Sequence, residues 1–215
     1  MNEAGMNVNE DRTFSDVLRI AFKGMFTPIA AFLLKIGVKP NMVTLSGLIG
    51  HIAGAALIAT GNISWGGIVI LLMAPVDYLD GTMARLKGEP SAFGAFVDSV
   101  TDRYSEFILY GGILLYYLSE QDWIACMFLF LAASGSYLVP YIRAKAEALG
   151  FTSKIGILSR VERYIILIPS LIFNRPMIAL VIIAVLANFT ALQRIWTVRQ
   201  QYYASKTVIL DRQEP

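Results

Sequence analysis

Charge, cysteine and histidine are scarce in this chain of 215 residues: 16% are Asp, Glu, Lys or Arg, and there is one Cys and one His. Soluble domains carry roughly 25% charged residues, so the composition points away from water as the main solvent. With Cys126 alone, no intrachain disulfide and no Cys-rich metal centre can form, which excludes a disulfide-held secreted scaffold. With His51 alone, set in an apolar stretch, the sequence argues against a mechanism built on histidines, and the expected role of His51 is a packed or hydrogen-bonded helix residue. Basic and acidic residues nearly cancel, 18 against 16, so there is no basic surplus for nucleic acid, and the hydrophobicity excludes intrinsic disorder. The polar start Met1-Asn2-Glu3 lacks the charged-then-apolar pattern of a signal peptide. No internal repeat or low-complexity segment is visible.

What is abundant is apolar surface. Hydrophobic residues make up 56% of the chain, and they are gathered into long runs rather than alternating, as membrane-crossing helices require. The expectation is an all-α integral membrane protein with six transmembrane helices and an N-terminal interfacial amphipathic helix. Residues 1–12 read as a disordered N-terminus. From about 13 to 37, Phe14, Leu18, Phe22, Met25, Ile29 and Phe32 recur at helical spacing opposite Asp16, Arg19 and Lys23, the pattern of a helix lying in the interface. Pro28 predicts a kink or break there, and Gly37 with Pro40 the end. Crossings are expected near 41–60, 64–88, 91–118, 122–148, 157–173 and 176–197, so that one membrane domain spans 13–199 and a polar cytoplasmic tail 200–215. With the N-terminus inside, only Arg175 of the 18 basic residues falls in an outside loop. That orientation puts the charged ends of the second and third crossings on the cytoplasmic side of the cell membrane.

Those ends carry an unusual set of acids. Asp77 and Asp80 are three apart, Asp98 and Asp102 four apart, so each pair shares a helix face, and the short connection from Leu86 to Pro90 folds the faces together. Four carboxylates at the membrane repel unless a cation or proton sits among them. Oxygen donors without His or Cys select a hard ion, Mg2+ or Mn2+. Gly81, Ala84 and Gly94 leave room for a ligand to approach the backbone, and Arg85 offers a fork suited to phosphate. The parts describe a metal-bound diphosphate between two helices. The bland reading, acids that merely pair with Arg85, Lys87 and Arg103, is disfavoured because buried ion pairs are seldom worth their desolvation for stability alone.

The run Asp77-Tyr-Leu-Asp80-Gly81-Thr-Met-Ala84-Arg85, then Gly94, Asp98 and Asp102, spells DxxDGxxARx8GxxxDxxxD and resembles the CDP-alcohol phosphotransferase family. The resemblance implies transfer of a phosphatidyl-type group from a CDP-linked lipid to an alcohol, releasing CMP. It implies that Asp77, Asp80, Asp98 and Asp102 hold two metal ions, and that Asp102 also acts as general base on the acceptor hydroxyl. Asn41, Met42, Val43, Thr44, Gly81, Ala84, Arg85, Ser91 and Gly94 would line the CDP-lipid site. A homodimer is a further implication; small residues at Gly111-Gly112, Ala132-Ala133 and Ser134-Gly135-Ser136 permit close helix packing within or between chains.

For the acceptor, Arg143, Lys145 and Arg163 follow the metal motif as a basic cluster able to bind a phosphate. Asp98-Ser-Val-Thr-Asp102-Arg103, Tyr141-Ile-Arg143-Ala-Lys145-Ala-Glu147 and Arg160-Val-Glu162-Arg163 resemble the branch that makes phosphatidylinositol phosphate, although Pro140 stands where that branch usually has Ser. The expected acceptor is inositol 1-phosphate, a small phosphorylated polyol, with glycerol 3-phosphate as the alternative. An intramembrane prenyltransferase shares only the aspartates. A cation transporter would spread acids through the membrane depth, and here they gather at one end.

Overall fold

The turns that separate the helices follow from where the backbone can reverse. Leu57 and Ile58 offer carbonyls at a helix end, and Asn62 N and Gly61 N bond back to them at 2.9 Å each, with Gly61 at φ +86°. This left-handed closure suits glycine, and the chain repeats it at Gly37 and Gly150. At Gln121 and Asn174 side-chain-bearing residues adopt it, both at φ +56°.

A computed structural model describes residues 14–88, 92–153 and 155–211, and side chains within them except those of 14–23, Asp77 and 205–211. The described residues form helices and no strand: α1 (Phe14–Lys35), α2 (Pro40–Ala59), α3 (Ile63–Met73), α4 (Val76–Leu86), α5 (Ala92–Ser119), α6 (Trp123–Ala148), α7 (Arg160–Ile172) and α8 (Pro176–Asp211). The expected disordered segment 1–12 and the candidate Ser91 lie outside the described residues.

Boundaries agree with the hydropathy reading to within a few residues, with four differences. The second crossing is two helices, because Pro75 has no N–H to continue the ladder, and Tyr78 N turns back to Pro75 O at 3.1 Å. At Pro28 no break occurs: α1 runs through it unbroken, with the ring on the exposed side. Helix α7 is only 13 residues long, about 20 Å at 1.5 Å per residue, whereas a bilayer core is roughly 30 Å thick. Finally, the polar segment after 199 continues α8 as far as Asp211.

Four segments among the described residues are long and apolar enough to cross a membrane: Pro40–Ala59, Ile63–Leu86, Trp123–Ala148 and Pro176–Ala204. Helix α5 has the length but carries Asp98, Asp102, Arg103 and Glu106 within its first 15 residues.

Helix α2 packs against α3, α4 and α5, and α6 packs along α8. Ile58, Ile70, Leu109, Ile113, Leu167, Leu171, Leu180 and Ile183 form the buried centre. A smaller seam of Ala30, Val43 and Met83 ties α1 and α2 to α4, the helix that bears Asp80.

The α2–α5 crossing is close enough to exclude a methyl group. A Cβ on Gly112 would lie 2.5 Å from Ala55 O and 2.8 Å from Ala55 Cα, whereas at Gly111 nothing stands within 4 Å. Gly135 meets Ala187 and Asn188 of α8 in the same way. Gly112 and Gly135 therefore serve packing within one chain. Gly112→Ala should cost roughly 1–3 kcal/mol by forcing two backbones apart, and Gly111→Ala should be neutral. Thermal unfolding in detergent checks the pair; equal midpoints for both would remove the close crossing as their cause.

Candidate active site

Helix α2 begins at Pro40, whose missing N–H costs nothing in a first helical turn. One turn on, Thr44 faces α4 and its hydroxyl donates to Asp80 Oδ2 at 2.5 Å. The backbone N–H of Gly81 donates to Asp80 Oδ1 at 2.5 Å. Asp80 is 5% exposed, and its charge is held by donors on both oxygens.

The other expected CDP-lipid residues divide. Val43 is buried in the α1–α4 seam, and Met42 is 57% exposed. Among the described residues Gly81 has no heavy atom within 4 Å of its would-be Cβ. Arg85, on the same helix, is exposed and donates from Nη2 to Thr82 Oγ1 at 3.2 Å.

Along α5, Asp98, Asp102 and Glu106 stand four apart on one face, and α7 answers with arginines. Arg160 Nη1 lies 2.5 Å from Asp102 Oδ1. Arg163, 1% exposed, is bidentate on Glu106: Nε to Oε1 at 2.7 Å and Nη2 to Oε2 at 3.0 Å. Arg103 joins Glu106 Oε2 at 3.2 Å. Arg163, expected at the acceptor phosphate, thus has its strongest contact with a carboxylate of its own chain.

Of the other acceptor candidates, Arg143 pairs with Glu147 at 2.8 Å on the exposed side of α6, and Lys145 is exposed on the same helix. The residue that sequence reasoning passed over is Arg194. It sits at 5% exposure on α8, donating from Nε to Ile155 O at 2.9 Å and from Nη1 to Val139 O at 2.6 Å. The positive charges of Arg143 and Arg163 both act on it. An arginine in an apolar run is itself a signal, since such a residue normally has a job. Each of the three also has a partner of its own: Glu147 for Arg143, Glu106 for Arg163 and two backbone carbonyls for Arg194.

The segment between α6 and α7 is pinned to α8 at three heights. Gln201 Nε2 donates to Thr152 O at 2.6 Å, Arg194 takes Ile155 O, and Leu158 N donates to Thr190 Oγ1 at 3.2 Å. This sets where α7 starts, and therefore where Arg160 stands.

Whether the acids fit a metal is decided by donor chemistry. Asp80, Asp98 and Asp102 offer carboxylate oxygen only, and His51 is committed elsewhere, to Gly47 O and Tyr164, so the set suits a hard divalent ion. The expected group of four includes Asp77, whose side chain lies outside the described residues. Among the described residues no three His, Cys, Asp or Glu side chains gather as an ion-sized cage.

Helices of membrane-crossing length, an acid ladder at one end and an arginine cluster beside it describe a membrane enzyme for phosphate-bearing substrates. Residues 38–192 match the family model of CDP-alcohol phosphatidyltransferase, and the chain belongs to that family. It is 37% identical over 200 residues to the phosphatidylinositol phosphate synthase of Streptomyces avermitilis, covering 85% of this chain and 81% of that one. It is 34% identical over 174 residues to the archaetidylinositol phosphate synthase of Pyrococcus horikoshii, covering 80% and 90%. Among solved structures, the phosphatidylinositol phosphate synthase of Mycobacterium tuberculosis with CDP-DAG bound superposes with a TM-score of 0.75 at 31% identity, covering 80% of this chain and 92% of that one. The same enzyme has been solved with manganese and citrate.

Proposed function

We propose that this chain transfers the phosphatidyl group of CDP-diacylglycerol to the hydroxyl of inositol 1-phosphate and releases CMP. The observation that carries the reading is the pairing of α5 with α7, which sets the last aspartate of the signature, Asp102, against Arg160.

Asp77, Asp80, Asp98 and Asp102 are the residues that would hold Mg2+ or Mn2+, as two ions, and such ions would supply positive charge to the diphosphate. Thr44 and Gly81 N fix the Asp80 carboxylate before any ligand arrives. Gly81, Ala84, Arg85, Ser91 and Gly94, with Asn41 to Thr44, border the CDP-lipid. Arg143, Lys145, Arg163 and Arg194 draw the acceptor phosphate toward α5. Asp102 then takes the proton from the acceptor hydroxyl. The oxygen attacks the phosphorus that carries the diacylglycerol, the new P–O bond forms, and the anhydride bond breaks with its electron pair leaving on CMP. No covalent enzyme intermediate is needed, because a positioned hydroxyl and base suffice.

The same reading gives six crossings, formed by α2, α3 with α4, α5, α6, the stretch 157–173 that contains α7, and α8, with α1 in the interface. The positions of the basic residues support an active site at the cytoplasmic face of the cell membrane. A homodimer completes the proposal.

The test is CMP release by purified protein with CDP-diacylglycerol and Mg2+ or Mn2+, offering inositol 1-phosphate, glycerol 3-phosphate or free inositol. Release that depends on inositol 1-phosphate is expected. Release with glycerol 3-phosphate alone would keep the chemistry and overturn the acceptor. Ion flux without CMP release would favour a transporter instead.

A further inference from the structure

His51 is 0% exposed, yet a buried imidazole is costly where an aliphatic side chain would pack. Both its nitrogens are engaged. Nδ1 lies 2.9 Å from Gly47 O, a carbonyl that can only accept, so Nδ1 carries the proton. In the neutral ring Nε2 is then an acceptor, and the hydroxyl of Tyr164, 3.3 Å away, donates to it. The two rings also meet edge to face, with centroids 6.2 Å apart. Helix α2 thereby fixes the ring of Tyr164 on α7.

One turn before Tyr164 on that helix stands Arg160, whose guanidinium carbon lies 5.1 Å from the centre of the Tyr164 ring. A tyrosine face attracts a guanidinium and restrains a side chain that otherwise samples many rotamers. The same guanidinium reaches Asp102 Oδ1. The contacts thus run without a gap from Gly47 and His51 through Tyr164 and Arg160 to Asp102.

We propose that His51 and Tyr164 are positioning residues for the Asp102 carboxylate, acting through Arg160. The inference rests on the reading of Asp102 as the proton acceptor. A hydroxyl within reach is useful to a base only if the carboxylate oxygen points at it, and the aromatic platform holds that aim while substrates come and go.

The experiment measures kcat and the KM for CDP-diacylglycerol by CMP release. Tyr164→Leu, which removes the ring face, should lower kcat about tenfold with KM within about twofold. Tyr164→Phe and His51→Leu should each lower kcat about threefold, and the double variant no further than either single, because both remove one bond. On an Arg160→Ala background all these effects on kcat should fall to within about twofold, which a general loss of packing would not do. Equal fold losses on both backgrounds would overturn the inference. Should Arg160→Ala turn over too slowly for comparison, the kcat-against-KM split of Tyr164→Phe decides, and any pattern other than lowered kcat at constant KM overturns it. Asp102→Asn in the same assay separates the two levels. If it turns over normally, the base reading fails and the inference falls with it; if it is dead while Tyr164→Leu matches the native kcat, the inference alone fails.

Discussion

Asp102→Asn should lower CMP release at least about 100-fold, the low end of what a positioned general base contributes, while CDP-diacylglycerol binding stays within about threefold. The amide matches the carboxylate in shape, and its oxygen can still receive Arg160 Nη1, now 2.5 Å from Oδ1. It cannot take a proton from an alcohol at neutral pH. Two effects need separation, because Asp102 is also proposed as a metal ligand. Assaying across Mg2+ concentration does this: a lost ligand shifts the half-saturating concentration, whereas a lost base lowers the plateau. The expected result is a low plateau. A plateau within about fivefold of native would hand the proton to another group. Substitution of Asp98, by contrast, should act mainly on the half-saturating concentration, since that side chain is assigned no proton.

How far the sequence revealed this arrangement depends on whether a feature is local. Helix positions were legible because apolar runs and Gly or Pro punctuation are read from neighbours in the chain. The break between α3 and α4 was partly legible for the same reason, in that Pro75 marks it. Asp77 to Asp102 was legible as chemistry, since acids three and four apart share a face whatever surrounds them. The partners of those acids were not. Thr44 and Asp80 are 36 positions apart, and nothing in the first turns of α2 announces that its hydroxyl meets α4. Arg160 and Arg163 look alike in sequence, three apart in a basic stretch. Only the packing of α7 separates them, one over Tyr164 and against Asp102, the other sunk onto Glu106. The crossing expected at 157–173 is longer than α7 because it begins at Ile157, which belongs to the segment leading into the helix.

The pair of Glu106 and Arg163 carries the second large effect. Glu106 is 5% exposed and Arg163 1%, and α5 and α7 are joined there across 57 positions of sequence. Removing one partner leaves a buried charge whose desolvation is no longer offset, which typically costs about 3–5 kcal/mol. The two halves are not equivalent, because Arg103 also binds Glu106. Arg163→Met leaves Glu106 one cation, whereas Glu106→Gln leaves two guanidiniums facing each other without an acid. Glu106→Gln should therefore be the less stable variant. Glu106→Gln with Arg163→Met removes both buried charges and leaves Arg103, whose side chain is 24% exposed and can turn to water. That double variant should unfold at a higher temperature than Glu106→Gln, and its loss should be smaller than the sum of the single losses. Thermal unfolding in detergent, scored with the tryptophans, measures all three. Strict additivity would mean that the pair is not energetically coupled. The same ordering bears on the acceptor: Arg163→Ala is expected to lose stability before it loses affinity, so a raised KM for inositol phosphate is better sought at Arg143, whose partner Glu147 is half-exposed and replaceable by water.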